Sequence, residues 1–321
     1  MKIALLIPTL NAGERWIELL NSVAIQDITF TKKAIIDSGS SDDTVSLAIK
    51  AGFDVLRIDK RDFDHGYARQ LLVDDANDCE VLVFLTQDSI LNGATAVRRL
   101  VTAFQNDSVG LAYGRQLPNK NAKVLETHAR LFNYPAESMI KGLDDKDRLG
   151  IKTASCSNSF AAYRSKALME VGGFPFNTIM SEDVIVGAKM LTKGWRIAYV
   201  GESEVYHSHS YSLMEEFRRY FDIGVYHSTN KWILDEFGKA DGEGLRYMIS
   251  EFKYVLRNNV LLLPKMAASI GMKFIGYKLG MNHESLTFKQ KQALSMHKTF
   301  WSKMHADSST AIKGKQEVRS T

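Results

Sequence analysis

Two cysteines, Cys79 and Cys156, in 321 residues cannot build a disulfide framework, which excludes the stapled secreted scaffolds and points to a reducing compartment. No run reaches the roughly 18 consecutive apolar residues of a membrane span. The apolar start, Met1 to Pro8, is too short for a signal peptide. Asn11, Glu14 and Arg15 follow it with no small-residue cleavage site, so it reads as a buried strand. No G-x-G-x-x-G fingerprint follows any apolar run, which removes a nicotinamide dehydrogenase. Internal repeats and low-complexity blocks are also missing. What is there is ordinary for a folded protein: 45% hydrophobic and 24% charged residues exclude a disordered chain, a collagen and a coiled-coil rod.

Charge is unevenly spread. The formal net is +4, yet residues 251–321 hold twelve Lys or Arg against four Asp or Glu, so residues 1–250 carry −4. A slightly acidic body with a basic end points to an anionic partner for that end, a membrane surface or nucleic acid. No aromatic platform or groove-reading motif accompanies the lysines, which argues against nucleic acid.

The first half alternates short apolar runs with helical spacing. Runs at 3–7, 34–36, 54–58 and 81–85 are separated by helices predicted near 14–25, 44–51 and 66–76. This is the βαβ pattern of an α/β fold with a mostly parallel sheet. Val81 to Leu85, apolar throughout, reads as a central strand. In such sheets ligands bind beyond the carboxyl ends of the strands, so the loops at 8–11, 37–43, 60–66 and 86–89 become the places of interest. Further on, Gly172-Gly-Phe-Pro175 reads as a turn, Ser181 as the cap of a helix reaching Lys193, and 196–200 and 205–207 as strands. From Ser212 the chain reads as helical. Residues 245–283 interleave apolar side chains with Lys265, Lys273 and Lys278, with a break or kink expected at Pro264. The expected organisation is an α/β domain over 1–211, a helical extension over 212–305 and a disordered tail over 306–321.

Several loop residues can carry chemistry. Asp37 opens the serine-rich turn Asp37-Ser-Gly-Ser-Ser-Asp42; its carboxylate could accept hydrogen bonds from a base or ribose, and an Asx turn with a helix cap explains it equally well. Asp88 lies just past the fourth strand, where a carboxylate can hold a divalent cation, though a turn-forming Asp often stands there too. Glu182 and Asp183 begin a helix, where acidic residues favour the dipole and where a base could be held rigidly. His207 and His209, two apart near a strand end, share one face and have imidazoles suited to Mn²⁺ or Zn²⁺. Arg69 could grip a phosphate with its guanidinium or sit as an ordinary helical arginine.

In order along the chain, the segments IPTLNAGE (7–14), DSGSSDDT (37–44), HGYAR (65–69), LTQDS (85–89), GGFP (172–175), SEDV (181–184) and HSH (207–209) resemble the inverting family 2 glycosyltransferases, which share the GT-A fold. The HGYAR, TQDS and HSH pieces are most similar to bacterial rhamnosyltransferases that build surface polysaccharides from dTDP-L-rhamnose. The resemblance implies that Thr9, Asp37, Arg69, Gln87 and Asp88 bind the donor, with Asp37 on the base and Arg69 near the diphosphate. It implies a divalent cation, Mg or Mn, at Asp88 with His207 or His209, and Asp183 as catalytic base. One position departs from the family: Thr86 stands where the first Asp of D-x-D would be.

The implied partners are a nucleotide-sugar donor and a lipid-linked glycan acceptor. The basic extension 245–283 would lie on an anionic membrane, giving a peripheral protein on the cytoplasmic face; a homo-oligomer is the other use of its apolar surface. The rivals are a family 2 transferase using a UDP-hexose, a sugar-phosphate nucleotidyltransferase and an inactive assembly scaffold. The nucleotidyltransferase would need a glycine-rich basic loop that Thr9 to Glu14 does not supply. The scaffold has no need of Glu182 and Asp183.

Overall fold

A computed structural model describes residues 1–238 and 242–305. The expected tail at 306–321 therefore lies outside the described residues.

Strands and helices alternate along the first part of the chain: β1 (Ile3–Thr9), α1 (Arg15–Ala24), β2 (Lys32–Asp37), α2 (Thr44–Lys50), β3 (Asp54–Arg57), α3 (His65–Asp75) and β4 (Val81–Leu85). Then come β5 (Ile90–Leu91), α4 (Ala96–Thr102), β6 (Val109–Leu117), α5 (Val124–Asn133), β7 (Met139–Lys141), α6 (Lys146–Leu149), β8 (Phe160–Arg164), α7 (Ser165–Glu170), α8 (Glu182–Thr192) and β9 (Arg196–Tyr206). The remainder is helical: α9 (Leu213–Thr229), α10 (Lys231–Phe237), α11 (Glu243–Asn258), α12 (Leu263–Met281) and α13 (Phe288–Leu294).

Two compact units result. The first gathers Met1–Phe176, Glu182–Ser210 and Ile233–Val260; the second gathers Asn177–Ser181, Tyr211–Trp232 and the described residues from Leu261 onward. The helical region is thus shared between them, because α11 packs on α5 in the first unit.

The first unit is built on one sheet with strand order β3-β2-β1-β4-β8-β6-β9-β5, and β7 beside β9. The β3-β2-β1-β4 half is parallel, as the βαβ spacing predicts. The other half is mixed: β8 runs antiparallel to both β4 and β6, and β9 is parallel to β6 but antiparallel to β5 and β7. Strand β4 is central and buried throughout, so no polar residue is tolerated in Val81–Leu85. On one sheet face Ile3, Leu5, Ile7, Val83 and Leu85 pack with Trp16, Leu19 and Val23 of α1 and Val97 and Leu100 of α4. On the other, Phe84, Tyr163 and Phe174 meet edge to face with centroids 5.3–5.8 Å apart.

Two strand-like runs, 196–200 and 205–207, turn out to be parts of the single strand β9; register shifts along β6 absorb the polar residues between them. Ser181 has φ of 63°, not the extended conformation of a capping serine, so the helix start at Glu182 is not the simple N-cap that the spacing predicts. Pro264 does not break a helix. It lies in the first turn of α12, where a missing N–H costs nothing, and the chain breaks earlier, at Asn259.

In the second unit α9 and α12 pack with unusually close backbones. A Cβ on Gly276 or Gly280 would fall 2.4 or 2.0 Å from the carbonyl oxygens of Phe217 and Phe221, and one on Gly224 would fall 2.4 Å from that of Tyr277. Lys273 pairs with Glu216 at 3.4 Å. Asp222, fully buried in α9, accepts the backbone N–H of Met296 at 2.9 Å and so fastens the segment after α13.

Candidate active site

The residues singled out from the sequence lie at the ends of β1 and β2, after β4 and β9, and in α3 and α8. In the β1–β2 register Thr9 pairs with Asp37, which brings both to the carboxyl edge of the sheet. Thr9 Oγ1 donates to Asp37 Oδ1 at 3.1 Å. Asp37 Oδ2 accepts the N–H groups of Gly39 and Ser40 at 3.0 and 2.9 Å, and Oδ1 also accepts the Ser40 hydroxyl. Four donors therefore converge on a buried carboxylate. This is the Asx turn that the sequence allowed, and Gly39, at φ 98°, supplies the left-handed residue the turn needs. Gln87 ties the next loop to the first: its Oε1 accepts from Leu10 N–H at 2.7 Å and its Nε2 donates to Leu10 O at 3.0 Å.

Asp88 comes to the two histidines through strand pairing. Antiparallel β5–β9 sets Ile90 against Tyr206, so the residues just before β5 face those just after β9. Asp88 Oδ2 lies 3.4 Å from His207 Nε2 and 3.6 Å from His209 Nε2, and the two Nε2 atoms are 3.1 Å apart. One ligand atom from each lies within 4.8 Å of the others. Burial alone would raise the Asp88 carboxyl, but the histidines beside it pull it well below the usual carboxylate range. Thr86, in the departed D-x-D position, bonds Ser89 across the turn at 2.7 Å.

Gln116 on β6 determines which histidine nitrogen is available. Its Oε1 receives Arg130 Nη1, which can only donate, so the same oxygen must accept from His207 Nδ1 at 2.9 Å. His207 then donates from Nδ1, and its Nε2 faces Asp88. A carboxylate and imidazoles held this way suit a divalent cation such as Mn²⁺.

The acidic pair forms the second cluster. Glu182 is buried; Asp183, one residue on, is partly exposed. Asn158, ahead of β8, serves both. Its N–H donates to Asp183 Oδ2 at 2.9 Å, its amide nitrogen donates to Glu182 Oε1 at 3.1 Å, and its amide oxygen accepts Tyr163 Oη at 2.6 Å. Burial and the neighbouring Glu182 charge push the Asp183 carboxyl up to about 6. A carboxylate of that basicity can take a proton near neutral pH. Glu182 moves the other way: burial would raise it, but the Arg69 guanidinium and His65 hold it below its ordinary value.

Arg69 belongs to this cluster. It is 4% exposed, forms an ion pair with Glu182 Oε1 at 2.8 Å and donates to His65 O at 3.1 Å. The segment carrying it is docked by close backbone contact: a Cβ on Gly66 would lie 1.7 Å from Pro175 O, and Gln70 Oε1 accepts Phe174 N–H at 2.9 Å. The HGYAR and GGFP segments are thus one packing unit, with Arg69 against Glu182.

The clusters share an anchor. Ser157 accepts Gln116 Nε2 at 2.8 Å, and the next residue, Asn158, holds the acidic pair. Asn158 and Gln116 are the residues that sequence reasoning missed. Neither lies in a motif, and Gln116 is 91 residues from its histidine partner.

The model of the family described as "Glycosyl transferase family 2" matches residues 4–172. The chain is 44% identical to the O-antigen chain rhamnosyltransferase RfbN of Salmonella typhimurium, over 98% of this chain and all of that one. It is 41% identical to the O-antigen chain rhamnosyltransferase WbaN of Salmonella anatum, over 96% of this chain and 98% of that one. Among solved structures, the mannosyltransferase PcManGT of Pyrobaculum calidifontis, in complex with GDP-Man and Mn²⁺, superposes with a TM-score of 0.55 at 17% identity, covering 94% of this chain and 84% of that one. TarS of S. aureus in complex with UDP gives 0.51 at 17% identity, over 88% and 91%. These structures share the fold, and by its sequence the chain belongs to glycosyl transferase family 2.

Proposed function

We propose that the protein is an inverting rhamnosyltransferase that moves L-rhamnose from dTDP-L-rhamnose to a lipid-linked oligosaccharide in the synthesis of an O-antigen-like polysaccharide. The observation that carries the reading is the joint anchoring of two clusters, a partly exposed carboxylate at Asp183 and a group at Asp88, His207 and His209 with the donors to hold a cation, by the consecutive residues Ser157 and Asn158. The choice of sugar rests on the two relatives named as rhamnosyltransferases.

In this reading the acceptor hydroxyl attacks C1 of the donor and gives its proton to the Asp183 carboxylate, while the nucleotide diphosphate leaves from the opposite face. A β-linked donor yields an α-linked product, and no covalent enzyme intermediate is needed. Asp88, His207 and His209 would hold Mg²⁺ or Mn²⁺, whose charge is the chemistry supplied against the departing diphosphate. Thr9, Asp37 and Gln87 would shape the pocket for the nucleotide, working through the ordered loops they hold together.

The acceptor's lipid would be met by a peripheral, cytoplasmic-face attachment through 245–283. Helix α11 turns Leu245, Ile249, Phe252 and Leu256 outward at helical spacing, with Arg246, Lys253 and Arg257 beside them. On α12, Phe274 and Ile275 are exposed among Lys265 and Lys278. By length and composition the 22 residues Val260–Met281 could cross a membrane, which revises the expectation that no such stretch exists. Lys273, paired with Glu216 midway along α12, and the charged helix α9 packed on it favour lying in the interface over spanning.

The test is a donor screen read by thermal shift and by turnover, with dTDP-L-rhamnose, UDP-glucose, UDP-galactose, UDP-N-acetylglucosamine and GDP-mannose, each with Mn²⁺ and with EDTA. Stabilisation and turnover with dTDP-L-rhamnose are expected. Turnover of a UDP-hexose without turnover of dTDP-L-rhamnose would overturn the donor.

A further inference from the structure

The resemblance to the family places Arg69 near the donor's diphosphate. The geometry turns it elsewhere. Its guanidinium is buried, its Nη1 is engaged by Glu182 and by His65 O, and its Nε is buried with no hydrogen-bond partner. A ligand for a diphosphate arriving from solvent needs an accessible donor edge, and this side chain has almost no exposure. Glu182 in turn is too buried to meet an acceptor, yet a carboxylate is costly to bury unless paired. Each therefore explains the other, and the partly exposed Asp183 is the group they adjoin.

We propose that Arg69 and Glu182 are positioning residues for the base: the buried pair, clamped by Asn158, orients Asp183 and sets the acidity at which it can accept the acceptor's proton, and Arg69 makes no contact with the leaving diphosphate. This rests on the reading of Asp183 as the base. Asn158 couples the two carboxylates mechanically, since its amide holds Glu182 while its backbone N–H holds Asp183. The pair couples them electrostatically as well. The Glu182 charge raises Asp183 and the Arg69 charge lowers it.

Among the described residues, the titratable and charged groups acting on Asp183 are Glu182 of α8, Arg69 of α3, Cys156 of the segment before β8 and Tyr163 of β8. Burial pushes the Cys156 thiol and the Tyr163 phenol well above their ordinary values, so both stay neutral through the working range. Burial lowers His65, which lies beside Glu182 and Arg69. Lys141 of β7 is spent on Tyr113 Oη and on the carbonyls of Lys152 and Ser155. The Arg69–Glu182 pair is thus the part of the surroundings whose charge substitution can change.

The experiment measures the pH profile of kcat and, separately, nucleotide-diphosphate affinity by calorimetry with dTDP, for full-length Glu182→Gln, Arg69→Met and the double variant, each checked for folding by thermal melt. Glu182→Gln removes the negative neighbour and should move the acidic limb to lower pH, on the order of one unit. Arg69→Met should move it to higher pH, and the double variant should return it toward the wild type. The dTDP affinity should stay within about twofold in all three. Where Arg69→Met fails to fold because Glu182 is left unpaired, Glu182→Gln and the double variant still decide the matter. A loss of dTDP affinity of about tenfold or more in Arg69→Met or the double variant, with the acidic limb unmoved in Glu182→Gln, would overturn the proposal and return Arg69 to the diphosphate. An Asp183→Asn enzyme that keeps its turnover would instead sink the base assignment, and the dTDP affinities would still report on Arg69.

Discussion

Gln116, inside strand β6, bonds His207, Arg130 and Ser157 at the candidate site. Arg130 donates to its Oε1 and so fixes the amide's orientation, His207 Nδ1 donates to the same oxygen, and His207 Nε2 faces Asp88. Outer partners of metal-binding histidines typically contribute about 10–100-fold in affinity. Gln116→Leu should therefore weaken Mn²⁺ binding by about that factor in calorimetry, with the secondary structure intact; unchanged affinity would show that His207 needs no such support. Such residues were invisible in the sequence. Asp88, Asp183, His207 and His209 could be singled out because their side-chain chemistry is distinctive and they sit where chemistry is expected, at strand ends and a helix start. Gln116 lies inside a strand and Asn158 in an ordinary serine-rich stretch, and their roles exist only through partners remote in the chain. Arg69 was legible as a candidate but not in its partner, because which face of α3 points inward is decided by Gly66 resting on the Pro175 carbonyl.

At the scale of elements, that glycine contact is a clean test of local packing. A methyl group at Gly66 would overlap Pro175 O, so α3 must shift or the 172–175 turn must open. Gly66→Ala should cost about 1–3 kcal/mol of stability in denaturant unfolding. It should also reduce turnover, since Arg69 is carried on the displaced helix; a variant as stable and active as the wild type would contradict the assignment. The β1–α3 portion was readable because its periodicities are local: short, largely apolar strands of four to seven residues alternate with helical spacing. The mixed half of the sheet was not. Antiparallel pairing of β8 between β4 and β6 joins strands separated by helices and loops, and nothing in Phe160–Arg164 itself states a direction. The chain break before Pro264 was misjudged by a few residues because proline ends one helix pattern and begins another equally well.

For the whole molecule, the sequence's basic end and the outward apolar stripe of α11 lead to one expectation. Wild-type protein should co-sediment with vesicles of phosphatidylglycerol and phosphatidylethanolamine, more weakly at high salt, since each basic residue near an anionic surface contributes about 1 kcal/mol that salt screens. Ile249→Glu with Phe252→Glu on α11, or Phe274→Glu with Ile275→Glu on α12, should abolish binding without loss of fold, because all four side chains are exposed. A wild-type protein left in the supernatant, or substitutions that change only the oligomeric mass, would instead make this surface an interface between copies. Truncating the chain before α11 is the poorer experiment, because α11 packs on α5 and buries Glu251 and Val255.

The account's central claim is that Asp183 takes the acceptor's proton. Its most direct test is Asp183→Asn, with turnover and dTDP-L-rhamnose affinity measured separately on the same preparation. The substitution keeps the shape and an acceptor for one of the two backbone N–H groups that Asp183 accepts, those of Asn158 and Val184, while removing the basic carboxylate. Loss of a general base costs about 10²–10⁴-fold, so turnover should fall by that factor while donor affinity stays within about twofold. Turnover above half the wild-type value, or a loss of activity explained wholly by weaker donor binding, would contradict the claim.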